Sequence, residues 1–112
     1  MQQAGNLFDA PLVILVCGNK DRAWKNSYDT FQSTEVDASI VTDHMMMEAT
    51  DLGLDTLWVC KFDRHMVRHV FELPSNLEPI NILLVGYGRD EPKSPDRHDK
   101  TRKKMEALVC YI

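Results

Sequence analysis

Two histidines, His65 and His69, stand four residues apart. On a helix that spacing puts both rings on one face, where they could share a metal ion. Two ligands do not close a site, and Arg64 and Arg68 on the same segment disfavour a cation. A solvated helix face is the simpler expectation, and no metal is assigned. Asp43, His44 and Glu48 form a second polar group, set in an otherwise apolar run. His44 and Glu48 are again four apart and suit a pair. One reading is a general acid or base beside a ligand. The favoured alternative is a buried, mutually satisfied pair, or residues that face a partner subunit. Lys100 and Arg102 are two apart in a charged arm that also holds Arg97, Lys103 and Lys104. In extended backbone their side chains project from the same side. A point charge beside a guanidinium fork can grip a phosphate there. The competing reading is an ordinary solvated charge run.

The remaining candidates read more blandly. Cys17, Cys60 and Cys110 are odd in number, far apart and in apolar settings, which suggests reduced core thiols. The absence of CxxC or CxxH pairs argues against zinc. Met45-Met46-Met47 suits core or interface packing better than an adaptable ligand surface. Gly86-Tyr87-Gly88 lacks the third glycine and the helix start of a dinucleotide fingerprint, so a strand-ending turn is expected.

The elements that would position these groups follow from hydrophobic patterning. Pro11–Cys17 (PLVILVC) reads as a strand covered on both faces. Residues 19–33 are polar and irregular, with Trp24, Tyr28 and Phe31 interspersed, a loop of the kind that lies over a ligand or partner. Thr34 and Asp37 have capping-box spacing. A helix over about Glu35–Leu52 is apolar on most sides, which places it in a domain centre or at a subunit interface. Gly53 suits its C′ position. Thr56–Cys60 is a second strand. Asp63 caps a short helix to about Phe71, with Pro74 beyond it. Pro79–Val85 is a third buried strand. Residues 89–104 form an extended arm, and Ala107–Ile112 turns apolar and β-prone, as if it docks at a distance.

The order is β-α-β-α-β followed by an arm, a helix-covered sheet of α/β or α+β type. With 112 residues, one domain (1–112) is expected, with 89–112 as its arm. A chain of this size buries roughly 65% of its unfolded surface, enough for a core without staples. The apolar content is 44%, which is ordinary, and the net charge of −4 gives no general attraction to nucleic acid or anionic membrane. No apolar run approaches the ~20 residues of a membrane span and no signal peptide is read, so the expected location is cytoplasmic.

The whole chain resembles the nitroreductase family of FMN-dependent oxidoreductases. The resemblance is carried by Ala10-Pro11-Leu12-Val13-Ile14, by Asp37 to Phe62, by Pro79 to Tyr87, and by the tail Ser94-Pro95-Asp96-Arg97-His98…Thr101-Arg102-Lys103-Lys104-Met105-Glu106. It implies an α+β fold, a three-layer α/β/α sandwich, and an intertwined homodimer with FMN at the interface. It also implies a C-terminal arm that adds a strand to the partner's sheet. The implied enzyme takes a hydride from NAD(P)H onto flavin and passes electrons to a small-molecule acceptor such as a nitroaromatic or quinone. The cofactor carries that chemistry, so no catalytic side chain is assigned. By position, the resemblance makes Trp58, Val59, Cys60 and Lys61 the turn along the flavin ring. Lys100 and Arg102 become contacts to the FMN phosphate.

The chain departs from the family pattern in two ways. The position of Lys61 is usually small in similar sequences. The match also covers about the C-terminal two thirds of the family domain, without the N-terminal helices and their Arg-Arg-Ser-x-Arg type segment. The alternative expectation is therefore a truncated, non-catalytic dimeric scaffold or binding module of the same fold.

Overall fold

A computed structural model describes residues 9–112. Its elements run β1 (Leu12–Asn19), α1 (Thr34–Asp51), β2 (Asp55–Val59), α2 (Arg64–Val70) and β3 (Leu77–Gly86). Two short 3-10 turns follow, at Pro95–His98 and Met105–Ala107. The fold is α+β: a small antiparallel sheet in the order β1-β3-β2, with α1 laid against it.

The most continuously apolar run becomes the central strand. β3 pairs with β1 on one side and β2 on the other, and Pro79–Val85 are all buried. The β1–β3 register shifts between Val16 and Cys17, which pair with Asn81 and Pro79 and leave Ile80 as an extra residue. Proline has no N–H to give to a ladder, so a break of this kind is where a central strand tolerates it. At the bulge, consecutive residues both meet α1. Ile80 packs with Val16 and Ala38, and Asn81 meets Thr42.

α1 begins one residue earlier than the capping-box spacing suggests. Ser33 is the N-cap, and its Oγ donates to Asp37 Oδ2 at 2.6 Å while accepting from the Trp24 amide at 3.1 Å. The helix ends in a Schellman motif: the Leu54 amide donates to Ala49 O and the Gly53 amide to Thr50 O, with Gly53 at φ 77°. One flank of α1 sits on the sheet through Ala38, Thr42, Met45, Met46 and Ala49. The other flank is open, with Val36, Ile40, Val41 and Met47 each about half exposed. Within one chain, then, the helix lies on the sheet's surface and not at a centre.

The loop 20–33 is more ordered than its composition suggests. Trp24 and Phe31 stack edge-on with centroids 6.3 Å apart. Lys25 and Gln32 form a β-bridge, and the Asn26 and Ser33 amides donate to Phe31 O and Trp24 O.

The arm differs from expectation. Residues 95–102 form a 3-10 turn and a following turn, not extended chain, because Ser94 Oγ accepts from the Asp96 amide and Pro95 presets the first φ. The amides of Thr101 and Arg102 both donate to His98 O, which removes the alternation that would aim Lys100 and Arg102 to one side. The apolar end forms the 3-10 turn Met105–Ala107 instead of a strand. Leu108, Tyr111 and Ile112 are largely exposed, and among the described residues no strand pairs with this segment.

Candidate functional site

The end of β2 is where a backbone turn becomes available to a ligand. β2 covers only half of β3: Trp58 pairs with Leu83 and Val59 with Ile82, and there the ladder stops. Trp58 and Val59 are therefore strand residues, and the turn proper begins at Cys60. Beyond the ladder, among the described residues, the backbone amides of Cys60 and Lys61 have no acceptor, whereas the Phe62 amide donates to Cys60 O at 3.2 Å. Both residues are exposed. The turn is closed by Asp63, the N-cap of α2, whose Oδ1 accepts from the Met66 amide at 3.1 Å. Two free donors on a short, bounded turn are what an electronegative edge of a planar ring can use. Trp58 Nε1 is also buried with no partner among the described residues.

Lys100 and Arg102 are exposed on the arm, and neither of the arm's 3-10 turns packs on the helices or sheet. The chain does not join these two residues to the turn at Cys60. Two open clefts, of about 340 Å³ and 260 Å³, lie elsewhere. The larger is bounded by Pro11, Asp55, Leu57, Leu84 and Tyr87, and the smaller by Gly18, Arg22, Thr34 and Val41.

The other candidates separate as follows. His44 and Glu48 are exposed, not buried, and His44 Nδ1 lies 2.8 Å from Ile40 O on its own helix. His65 and His69 are exposed on α2, and among the described residues no group of three metal-ligating side chains converges. Met45 and Met46 pack on the core while Met47 is exposed. The three cysteines are free, but Cys60 and Cys110 are exposed, so only Cys17 resembles a core thiol. Burial pushes the Cys17 thiol up, and the Arg68 guanidinium partly offsets this. Gly86 ends β3, and the Gly88 amide donates to Asp55 Oδ2 at 2.6 Å.

Sequence reasoning missed two groups. The first is Thr42 with Asn81, buried between α1 and the sheet. Thr42 Oγ1 lies 2.7 Å from Ala38 O and 3.1 Å from Asn81 Oδ1, which leaves Asn81 Nδ2 without a partner. Turning the amide over only exchanges which of its two atoms is orphaned. The signal was a lone asparagine in an apolar strand. The second is the arginine pair of α2. Arg64 Nε donates to Pro79 O at 3.1 Å, and Arg68 donates to Pro74 O, Leu77 O and Glu78 Oε2. Glu78 also pairs with Lys20 at 2.5 Å, and the Lys20 contact holds its carboxyl below the usual range against the effect of partial burial. The signal was the four-residue spacing of Arg64 and Arg68.

Residues 2–87 match the model of the nitroreductase family. The chain belongs to the nitroreductase family. Its fold is similar to the crystal structure of a nitroreductase family protein from Clostridium difficile 630, at 55% identity and a TM-score of 0.91, over 98% of this chain and 64% of that one. It is also similar, at 28% identity over 88% of its length, to a Methanothermobacter thermautotrophicus protein. The name of that protein provisionally gives it NADH dehydrogenase/NAD(P)H nitroreductase activity. An FMN-dependent nitroreductase from Clostridium difficile R20291 shares the fold at 23% identity, with a TM-score of 0.70 over 92% of this chain and 58% of that one. The chain spans about half the length of the curated relative, 51%, and under two thirds of these two crystallised or solved chains. Among the described residues, no helix is long and apolar enough to cross a membrane.

Proposed function

We propose that this chain is an FMN-dependent oxidoreductase of nitroreductase type, working as a homodimer with exchanged C-terminal arms within a three-layer α/β/α sandwich. The observation that carries the reading is the exposed turn at the end of β2, with free amides at Cys60 and Lys61, inside the segment that matches the family model. When bound, FMN would supply hydride acceptance from NAD(P)H and electron delivery to a nitroaromatic, quinone or similar acceptor.

The chain's own part is to bind and orient. The amides of Cys60 and Lys61 would donate to the ring edge, where a fixed donor favours developing negative charge. Trp58 and Val59 would set the turn's height through their ladder to Leu83 and Ile82. Lys100 and Arg102 would hold the phosphate, and since the arm stands off its own sheet, they would do so from the partner subunit. The open flank of α1, with Val36, Ile40, Val41 and Met47, suits the dimer core that this arrangement needs. A cytoplasmic location accompanies this reading.

A second reading, a dimeric scaffold or binding module without redox activity, is favoured by the separation of Lys100 and Arg102 from the turn and by the bulk of Lys61 beside it. An absorbance spectrum of the purified protein, taken with its mass in solution, separates the two. A yellow dimer that oxidises NAD(P)H supports the first. A colourless dimer indifferent to added FMN supports the second, and a monomer sinks both.

A further inference from the structure

We infer that Arg64 is the positioning residue of the turn at Cys60–Phe62, a proposal that rests on the flavin reading above. β3 has ten residues and β2 five, so β2 pairs only with Ile82–Gly86. The β2 side of Leu77–Asn81 has no strand to bond. α2 lies there instead, and its arginines serve the carbonyls that a longer β2 would have met. Arg68 takes Leu77 O, at the far end of β3 from β2, and also Pro74 O in the turn that precedes β3. Arg64 takes Pro79 O at 3.1 Å, with a second donor 3.5 Å from Ile80 O, at the bulge next to where β2 stops.

The two arginines differ in what they tie down. Arg64 also lies 5.7 Å from the ring centroid of Phe62, in cation–π range. Phe62 is bonded back to Cys60 through its amide, and the next residue, Asp63, caps the helix that carries Arg64. Arg64 therefore links the bulge of the central strand to the turn with the two free amides. A guanidinium can do this because its donors form a planar fork that meets two carbonyls and leaves its face for an aromatic ring. Lysine has neither the fork nor the face. The short β2 thus leaves the turn out of the ladder, and Arg64 restores the rigidity that the ladder would have given.

The test compares Arg64→Ala, Arg64→Lys and Arg68→Ala in the full chain. Backbone order parameters from ¹⁵N relaxation are read at Cys60, Lys61 and Phe62, and FMN is titrated with its visible spectrum recorded. Arg64→Ala is expected to drop the order parameters of the turn from about 0.85 to below about 0.6. It should also weaken FMN binding about tenfold and shift the bound-flavin bands. Arg64→Lys should fall between alanine and wild type in both readouts. Arg68→Ala should leave the turn's order parameters and the flavin bands unchanged while lowering the melting temperature. A turn that stays rigid in Arg64→Ala, or that loosens equally in Arg68→Ala, overturns the proposal. Should Arg64→Ala fail to fold, Arg64→Lys with wild-type order at the turn overturns it as well. If wild-type protein takes up no FMN, the flavin reading fails, and the order parameters alone decide whether Arg64 anchors the turn.

Discussion

Among the described glycines, Gly18 has the closest neighbour to a would-be Cβ, and it yields a quantitative test. A Cβ at Gly18 would lie 2.5 Å from Thr34 Cγ2 and 3.0 Å from Thr34 Cβ. Ordinary carbon contacts are about 3.5–4.0 Å, so Gly18→Ala creates an overlap of about 1 Å. Thr34 is the first residue of α1 and is β-branched, with few χ1 wells open to it in a helix. The relief must come largely from moving the start of α1 off the end of β1. Overpacking of this kind costs about 1–3 kcal/mol. Alanine gives back about 0.5–1 kcal/mol of unfolded-chain entropy. The expected net loss is about 0.5–2 kcal/mol, read as a lower urea midpoint at unchanged m-value. Thr34→Ala removes the Cγ2 that makes the shortest contact, so the double variant should recover much of the loss. The coupling energy in the cycle is expected at about 0.5–1.5 kcal/mol. Gly18→Ala as stable as wild type, or a double variant whose loss is the plain sum of the singles, would refute the reasoning.

Three further outcomes follow from the same structure. Asn81→Leu keeps the branching of the side chain and removes a buried orphaned polar atom, while Thr42 keeps its bond to Ala38 O. A gain of about 1 kcal/mol is expected, roughly 4–8 °C in thermal melting, and a clear loss would show that the asparagine has a partner in solution. Glu78 has a folded-state pKa below the ordinary value of 4.5, chiefly through the hydrogen bond from Lys20. Its contribution is therefore present above that value and lost as pH falls through the lower folded value. At neutral pH Glu78→Gln should cost about 0.5–1 kcal/mol, since the pair is partly exposed, and the difference in melting temperature should vanish in strong acid. Arg102→Ala should weaken FMN binding by about 1.5–3 kcal/mol in a fluorescence titration, and unchanged affinity would remove Arg102 from the phosphate site.

Local signals made much of the fold legible. Pro79–Val85, apolar but for Asn81, announced a buried strand and it is the centre of the sheet, whereas Pro11–Cys17, expected to be covered on both faces, is an edge strand with Leu12 half exposed. Gly53 announced the end of α1, and its φ of 77° is the reason. Asp63 announced the start of α2 and accepts from the Met66 amide. Legibility failed where the deciding interaction spans the sequence. Nothing near Gly18 says that Thr34 will stand over it, so the strand read as ending at Cys17, whereas Gly18 belongs to β1 and is kept small by a helix. The bulge at Ile80 escaped notice for the same reason, since it exists only in the pairing of β3 with β1.

The candidate site depends on long-range assembly that local sequence does not carry. Patterning placed Cys60 in the second strand and only the family resemblance made Trp58–Lys61 a turn; the turn begins at Cys60, and the contacts of Arg64 that bear on it lie on β3. Before the fold is known, Arg64 and Arg68 look like charges that disfavour a metal near His65 and His69. In the structure their charge is committed to carbonyls, and the histidines face outward. Lys100 and Arg102 show a different limit of local sequence. Extended backbone was assumed for them, whereas Ser94 and Pro95 wind the arm into turns that, among the described residues, pack on none of the helices or strands. A segment with exposed Leu108, Tyr111 and Ile112, held by turn hydrogen bonds of its own, is of the kind whose conformation depends on what it meets. The turn at Cys60 offers donors without a phosphate grip, and the arm offers cations without a ring platform. The two halves become one site only if the arm of one subunit reaches the turn of another. Flavin affinity should then fall on dilution below the dimer dissociation constant, whereas a site held within one chain would keep its affinity at any concentration.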